Sequence, residues 1–227
     1  MYFSRIHFHP SADSDLAGRI NGYHEHQALW DLFDPEPNAK RDFLFRRETA
    51  AGMPVFYLVS QRKPADRHGL WEVQTKDYRP KLSEGQSLGF SLRVNPVITR
   101  TDKDGRSVRN DLVMDLKKSV GWQDQKPSER ESMDALEQRA GEQWLGVRLD
   151  RHGARLDNLK ADGYRRHRSR KHGQKAMIRY STLDLRGSLT VTDPERLRAA
   201  LFHGIGPAKA FGCGLLLVRR LYPYSNG

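Results

Sequence analysis

Cysteine is almost missing from this sequence, in which Cys213 is the only one among 227 residues. A single thiol excludes an intrachain disulfide and a zinc site built from several cysteines, and it fits a reducing cytoplasm. Long apolar runs are missing too, and the first residues, MYFSRIHFHP, lack the basic and apolar segments of a signal peptide. We therefore expect a cytoplasmic protein that is not inserted in a membrane.

Acidic residues are in short supply relative to basic ones. The sequence has 28 Asp and Glu against 39 Lys and Arg, which gives a formal net charge of +11. Such an excess attracts polyanions, so nucleic acid is the first candidate partner and an anionic membrane surface is the second. A basic protein that is merely soluble has the same net charge, so the position of the charges along the chain must decide.

Hydrophobic periodicity predicts an α+β protein. The predicted strands are Met1–His9, Arg41–Glu48, Pro54–Ser60, Leu70–Asp77, Ser87–Val97, Ala176–Leu185, Ser188–Val191 and Gly212–Leu221. The predicted helices are Leu16–Trp30, Ser128–Val147 and Asp193–His203, with room for a stunted helix at Pro64–Gly69 and a loop-like stretch at Thr99–Pro127. This order predicts two tandem ferredoxin-like (βαββαβ) domains, with residues 1–83 in the first and 84–227 in the second.

The stretch GYHEHQALWD (Gly22 to Asp31) concentrates titratable side chains on a predicted helix. Tyr23 and His26 are spaced i, i+3, so they share one helical face and place two proton-transfer groups side by side. His24 and Glu25 point elsewhere on the helix, which weakens the alternative of a compact metal cage. A lone histidine on a helix is more often structural, and the neighbouring tyrosine favours chemistry.

The segment RRHRSRKHGQK, from Arg165 to Lys175, is the strongest concentration of positive charge. It lies between strand-like flanks, which favours a basic hairpin that contacts nucleic acid over a disordered, solvated run. The RNA-binding candidates in it are Arg165, Arg166, Arg168, Arg170, Lys171 and Lys175.

A glycine-rich stretch, HGIGPAKAFGCG, precedes the predicted last strand. Glycines let a backbone approach a phosphate closely, and backbone amides with a lysine can hold the anion. The candidates are Gly204, Gly206, Gly212, Gly214 and Lys209. The pattern matches neither nucleotide-binding fingerprint, and a tight crossover from helix to strand explains the glycines equally well.

A rival constellation is His7-Phe8-His9 on the first strand. Two histidines in alternation share one strand face and can bind a divalent metal, as in the His-hydrophobe-His nucleases that cut single-stranded DNA. A match of three residues is also readily explained by chance.

Taken together, the motifs resemble the CasE-type endoribonucleases of type I-E CRISPR systems, members of the RAMP superfamily. The stretches that carry the resemblance are MYFSRI, Tyr23-x-x-His26-Gln27-x-Leu29-Trp30, RDFLFR (Arg41–Arg46), LRVNP (Leu92–Pro96) and GIGPAKAFGCGLL (Gly204–Leu216). The resemblance implies cleavage of CRISPR precursor RNA at the base of a repeat stem-loop. It also implies that the product RNA is retained with other subunits in the Cascade complex, and that Tyr23 and His26 are catalytic.

The ribose 2′-OH can serve as nucleophile, so no metal or other cofactor is needed, and the products are a 2′,3′-cyclic phosphate and a 5′-OH. His26, with a reference pKa of ~6.5, can act as acid or base, and Tyr23, at ~10, suits donation or orientation. Lys209 and Arg19 are candidates, by their charge alone, for stabilising the negative charge that develops on the phosphorane. We expect the free protein to be a monomer. A metal-dependent DNA nuclease and a non-catalytic RNA-binding subunit remain the alternatives.

Overall fold

The structure, a computed structural model, describes residues 1–9, 23–35, 40–170 and 177–221, with the backbone alone at 23, 24, 169 and 170. Within these ranges the strands are β1 (Tyr2–Phe8), β2 (Phe43–Ala50), β3 (Met53–Ser60), β4 (Trp71–Asp77), β5 (Ser87–Val94), β6 (Val97–Thr101), β7 (Ser107–Asp111), β8 (Ala154–Arg170), β9 (Met177–Val191) and β10 (Leu216–Arg220). The helices are α1 (Tyr23–Trp30), α2 (Leu112–Ser119), α3 (Met133–Arg151) and α4 (Pro194–His203), with a 3-10 helix at Lys209–Phe211.

The chain forms two compact units that do not simply follow one another in sequence. The first unit consists of Met1–Lys81, Arg168–Arg179 and Phe202–Leu215, and the second contains the remaining residues. Two segments from the second half of the chain therefore belong with the N-terminal residues. The predicted domain boundary between residues 83 and 84 stays a prediction.

The first unit is built on an antiparallel sheet in the order β2-β3-β1-β4. In the register of this sheet, Ile6 on β1 lies opposite Phe56 on one side and Val73 on the other. One face buries a core to which α1 contributes Leu29, which is inaccessible to solvent. Burial of apolar side chains such as Leu29 is the main force that holds a helix against a sheet.

The stunted helix predicted at Pro64–Gly69 is wrong, since these residues form bends and loop. A run of only six residues forms too few backbone hydrogen bonds to offset the cost of helix nucleation. The remaining described elements of the first unit have the predicted order, with strand ends that differ by one or two residues. The part of the predicted helix Leu16–Trp30 before Tyr23 lies outside the described residues.

The second unit repeats this plan with the sheet order β10-β5-β9-β8. Its core includes Trp144 of α3 and Leu197 of α4, both fully buried, together with Leu185 of β9. When the four strands of each sheet are numbered in chain order, both sheets have the strand order 4-1-3-2 of a ferredoxin-like domain. The predicted tandem ferredoxin-like fold is therefore confirmed.

The stretch Thr99–Pro127 is more ordered than predicted, because it contains most of the β6–β7 hairpin and all of α2. The Asp111 side chain caps α2 by accepting a hydrogen bond from the Met114 backbone amide at 3.0 Å. Leu112, at the start of α2, is fully buried. The many polar residues around these positions obscure the hydrophobic periodicity by which such short elements are predicted.

Three predicted boundaries also differ. Helix α3 begins after Ser132, whose hydroxyl accepts from the Ala135 amide at 3.1 Å, and not after Ser128. The two strands predicted between residues 176 and 191 are the single strand β9. Strand β10 begins at Leu216 rather than Gly212, because Gly212 and Gly214 have positive φ and cannot extend it.

Candidate active site

Helix α1 begins at Tyr23 and includes His26, so the structure keeps both on one helix as predicted. The side chain of Tyr23 lies outside the described part of the chain. Glu25, only 7% exposed, accepts a hydrogen bond from Arg47 Nη1 of β2 at 2.5 Å. This ion pair and the burial of Leu29 fix α1 against the sheet and therefore fix the position of His26.

The His26 imidazole is half-buried and forms a cluster with two aromatic rings, those of Phe43 and Trp30. Its centroid lies 5.7 Å from the nearly parallel ring of Phe43 and 5.6 Å from that of Trp30. Nε2 is buried and has no hydrogen-bond partner among the described residues. Burial, and secondly the charge of Arg41, lower the pKa of His26 below its usual 6.5. At neutral pH the imidazole is therefore mostly neutral, and its buried Nε2 has an unmet capacity for a hydrogen bond.

Arg41 is the residue of this site that the sequence reasoning missed. It lies immediately before β2 and is half-buried, and within the described ranges no carboxylate or other hydrogen-bonding group pairs with it. Burial lowers the pKa of Arg41, although a guanidinium keeps its proton in proteins. In the sequence, RDFLFR indicated a strand and contributed to the family resemblance, but it gave Arg41 no role, because the burial and pairing of an arginine depend on the fold and not on a local pattern.

Lys209 reaches the same region from the glycine-rich loop. The 3-10 helix that carries it packs against both α1 and β2. Its Nζ donates a hydrogen bond to the His203 carbonyl at 2.7 Å, and burial together with Arg41 lowers its pKa. The structure thus groups His26, Arg41 and Lys209, an arrangement suited to an anion. Arg19, the other guess for this role, lies outside the described residues.

The glycine-rich loop is closed by its own backbone. The Ile205 amide donates to the Gly214 carbonyl at 2.9 Å, and all four predicted glycines, Gly204, Gly206, Gly212 and Gly214, have positive φ. A Cβ on Gly204 would lie 2.8 Å from the Gly214 oxygen and 2.9 Å from Leu44. The glycines are therefore required for the turn itself, and contact with a phosphate stays a prediction.

We expect Gly204→Ala to destabilise the protein more than Gly105→Ala. Both residues have φ near +75°, a conformation that costs an L-residue ~1–2 kcal/mol, but nothing lies within 4 Å of a Cβ on Gly105. Overpacking should add ~1–3 kcal/mol at Gly204 alone. Urea denaturation of the two variants measures the difference, and equal midpoints would contradict the packing argument.

The basic segment begins on β8, which places Arg165, Arg166 and Arg168 at the surface. At the base of the segment, the rings of His167 and Tyr180 stack at 4.7 Å, and His167 Nε2 lies 2.9 Å from Thr182 Oγ1. Strands β8 and β9 are neighbours in the sheet, as the predicted hairpin requires. Of the other candidates, Arg170 is described by its backbone alone, and Lys171 and Lys175 lie outside the described residues.

The His7-Phe8-His9 constellation has no metal-site geometry in the described part of the chain. His7 Nε2 lies 3.6 Å from Glu72 Oε2, and Phe8 stacks on Trp71 in the core at 4.3 Å. Among the described residues, no three His, Cys, Asp or Glu side chains are grouped so that they could hold a metal ion.

Comparison with known proteins identifies the family. A family model described as "CRISPR associated protein" matches residues 1–220. The "CRISPR system Cascade subunit CasE" of Escherichia coli K12 is 31% identical over 219 residues, which cover 95% of this chain and 98% of that protein. The chain belongs to the CasE-type CRISPR-associated proteins.

Two further CasE-type relatives come from Thermus thermophilus. The "CRISPR-associated endoribonuclease Cse3" of this bacterium is 28% identical, over 96% of this chain and 99% of its own. A solved structure of Thermus thermophilus Cse3, bound to an RNA that represents a pre-cleavage complex, has a TM-score of 0.69 and 26% identity, with coverage of 96% and 98%. The described helices of this CasE-type chain include none that is long and apolar enough to cross a membrane.

Proposed function

We propose that this CasE-type protein is an endoribonuclease that cleaves CRISPR precursor RNA at the base of the repeat stem-loop. The attacking group is the ribose 2′-OH, no metal takes part, and the products carry 5′-OH and 2′,3′-cyclic phosphate ends. The observation that carries the proposal is the neutral His26 close to the cation Arg41, since neither His26 Nε2 nor Arg41 has a hydrogen-bond partner among the described residues. The names of the relatives, a Cascade subunit and an endoribonuclease, supply the substrate class.

The reaction requires two proton transfers and stabilisation of negative charge. The 2′-oxygen loses its proton as it attacks the adjacent phosphorus, and the leaving 5′-oxygen gains one as its bond to phosphorus breaks. His26 and Tyr23 provide the two proton-transfer groups, with the direction of each transfer left open. In this proposal Arg41 and Lys209 stabilise the charge on the phosphorane oxygens, which is greater in the transition state than in the substrate; the mutual influence of these two cations and His26 supports the role.

After cleavage, the protein stays bound to the mature RNA and joins the other Cascade subunits in the cytoplasm. The E. coli relative, a Cascade subunit by name, supports the assembly, and the exposed arginines of β8 support retention of RNA. Incubation with a labelled stem-loop from the host's own repeat, followed by end-group analysis, tests the reaction. Products with 3′-OH and 5′-phosphate ends would overturn the proposed reaction. Tight binding without cleavage would favour the alternative of a non-catalytic RNA-binding subunit.

We expect Arg41→Gln to raise the pKa of His26. The positive charge of Arg41 disfavours the imidazolium, so its removal makes protonation easier and moves the titration to higher pH. NMR titration of the His26 ring measures this directly, and the limb of the kcat/KM profile that His26 governs should move in the same direction.

The matched control for Arg41 is Lys40→Gln, which removes an exposed neighbouring charge that does not contribute to the His26 shift. Its titration should coincide with that of the unmodified protein. An equal rise in the His26 pKa in both variants would mean that the net charge of the protein, and not the position of Arg41, sets this pKa.

We expect Arg168→Ala to weaken stem-loop binding and to reduce its dependence on salt. A-form RNA presents mainly phosphates to side chains in its major groove, and each lost phosphate contact should flatten the log-log slope by about 0.7 to 0.9. Arg155→Ala is the control, since Arg155 is also exposed on β8 but pairs with Asp157 at 3.5 Å. An unchanged slope for Arg168→Ala, alone and with Arg170→Ala, would mean that the segment is only a charged surface.

A further inference from the structure

A groove of about 660 Å³ lies on the sheet of the second unit. Its floor includes Gly89 and Ser91 of β5, and Ser91 lies opposite Arg186 of β9. The next pair along these strands, Leu92 and Leu185, is fully buried. Because side chains alternate along a strand, the groove lies on the sheet face opposite the core.

The described residues that line this groove carry positive charge and no carboxylate. The cations are Lys160, Arg186 and Arg219. Within the described part of the chain, Arg219 has no hydrogen-bond or ion-pair partner. Lys160 and Arg186 share one carboxylate, that of Asp162, at the long distances of 4.0 and 3.9 Å. The groove therefore has an excess of positive charge available to an anionic ligand.

The groove is shallow, and its lining contains both polar and apolar side chains. A Cβ on Gly89 would lie 3.2 Å from both Arg219 Nε and Leu221 Cδ2, so the glycine leaves room for the arginine across the sheet. Ser91 offers a hydroxyl, and Ser188 and Asn158 add further polar groups. Phe90, an aromatic residue of the lining, is only 6% exposed and offers no face on which a base can stack.

We propose that this groove binds the sugar–phosphate backbone of a single-stranded segment that flanks the stem-loop. The inference rests on the proposed function for the identity of the RNA. Cations without carboxylates attract a polyanion, and hydroxyl and amide groups suit the ribose 2′-OH. Because Phe90 is buried, the groove contacts the backbone and does not stack a base. An acidic protein segment fits less well, because protein interfaces depend on large anchors seated in pockets, which this shallow floor does not provide.

The test compares affinity for a bare stem-loop with affinity for the same stem-loop extended by unpaired uridines on the 5′ or the 3′ side. The RNAs carry 2′-deoxyribose before the cut, so binding is measured without cleavage. One extension should tighten binding by the unmodified protein, and Arg186→Glu with Arg219→Glu should remove that gain while leaving the bare stem-loop's affinity unchanged. The salt slope of the extended RNA should fall by about 0.7 for each lost phosphate contact.

The control carries Arg155→Glu and Arg198→Glu, two changes of equal charge at arginines that do not line the groove. It should keep the gain from the extension. The inference is overturned if no extension tightens binding, if the groove variant loses affinity equally for both RNAs, or if oligoglutamate displaces the extension at matched charge concentration. Cleavage of an unmodified bare stem-loop by the groove variant should continue, so failure of the groove and failure of the proposed reaction are separate results.

Discussion

Replacement of His26 by alanine should lower the single-turnover rate of cleavage by about 100- to 10,000-fold, the range for loss of a general acid or base. Affinity for the stem-loop should stay within several-fold, because a proton-transfer group contributes mainly in the transition state. His26 is suited to this role by its position beside Arg41 and by an Nε2 that meets no partner in the described residues. Tyr23→Phe should slow cleavage less.

The control for this variant is His68→Ala, which removes an exposed histidine of the same unit. Since His26 also packs on Phe43, His26→Phe preserves an aromatic ring there and separates chemistry from folding. Thermal melting of all three variants identifies any loss of structure. A folded His26→Ala protein that cuts at the normal rate would remove His26 from the active site.

A single 2′-deoxyribose before the cut should abolish cleavage, because the reaction then has no nucleophile. Excess EDTA should leave the rate unchanged, since the proposed charge stabilisation comes from Arg41 and Lys209. Single-turnover assays on matched RNAs measure both effects. A 2′-deoxyribose one position further from the cut serves as control and should be tolerated.

The opposite outcome has a definite meaning. Activity that is lost in EDTA, is restored by manganese or magnesium and extends to single-stranded DNA would support the rival built on His7 and His9. In that case His7→Ala should abolish the activity, and the pairing of His7 with Glu72 would have to give way to a metal.

The fold was predictable where hydrophobic periodicity agrees with the residues that typically start or end a helix or strand. Strands β1, β3 and β4 alternate or are continuously apolar, and helix α4 starts with Pro194 just after Asp193, whose carboxylate accepts from the Arg196 amide at 3.0 Å. Prediction failed where a short element is stabilised by contacts distant in sequence. In α2, for example, Asp111 also accepts a hydrogen bond from Tyr164 at 2.9 Å, and no local pattern indicates that contact.

By itself, the sequence indicated the family, the order of the strands and helices apart from β6, β7, β8 and α2, and the residue types able to transfer protons or to hold phosphate. Only the tertiary structure decided that Arg41 lies close enough to influence both His26 and Lys209, because the three residues come from separate parts of the chain: α1, the segment before β2 and the 3-10 helix. It also decided that Arg41 is half-buried without a carboxylate among the described residues. Burial and the absence of a counter-ion depend on everything packed around a side chain, so these properties, which set the pKa of His26, arise only when the chain folds.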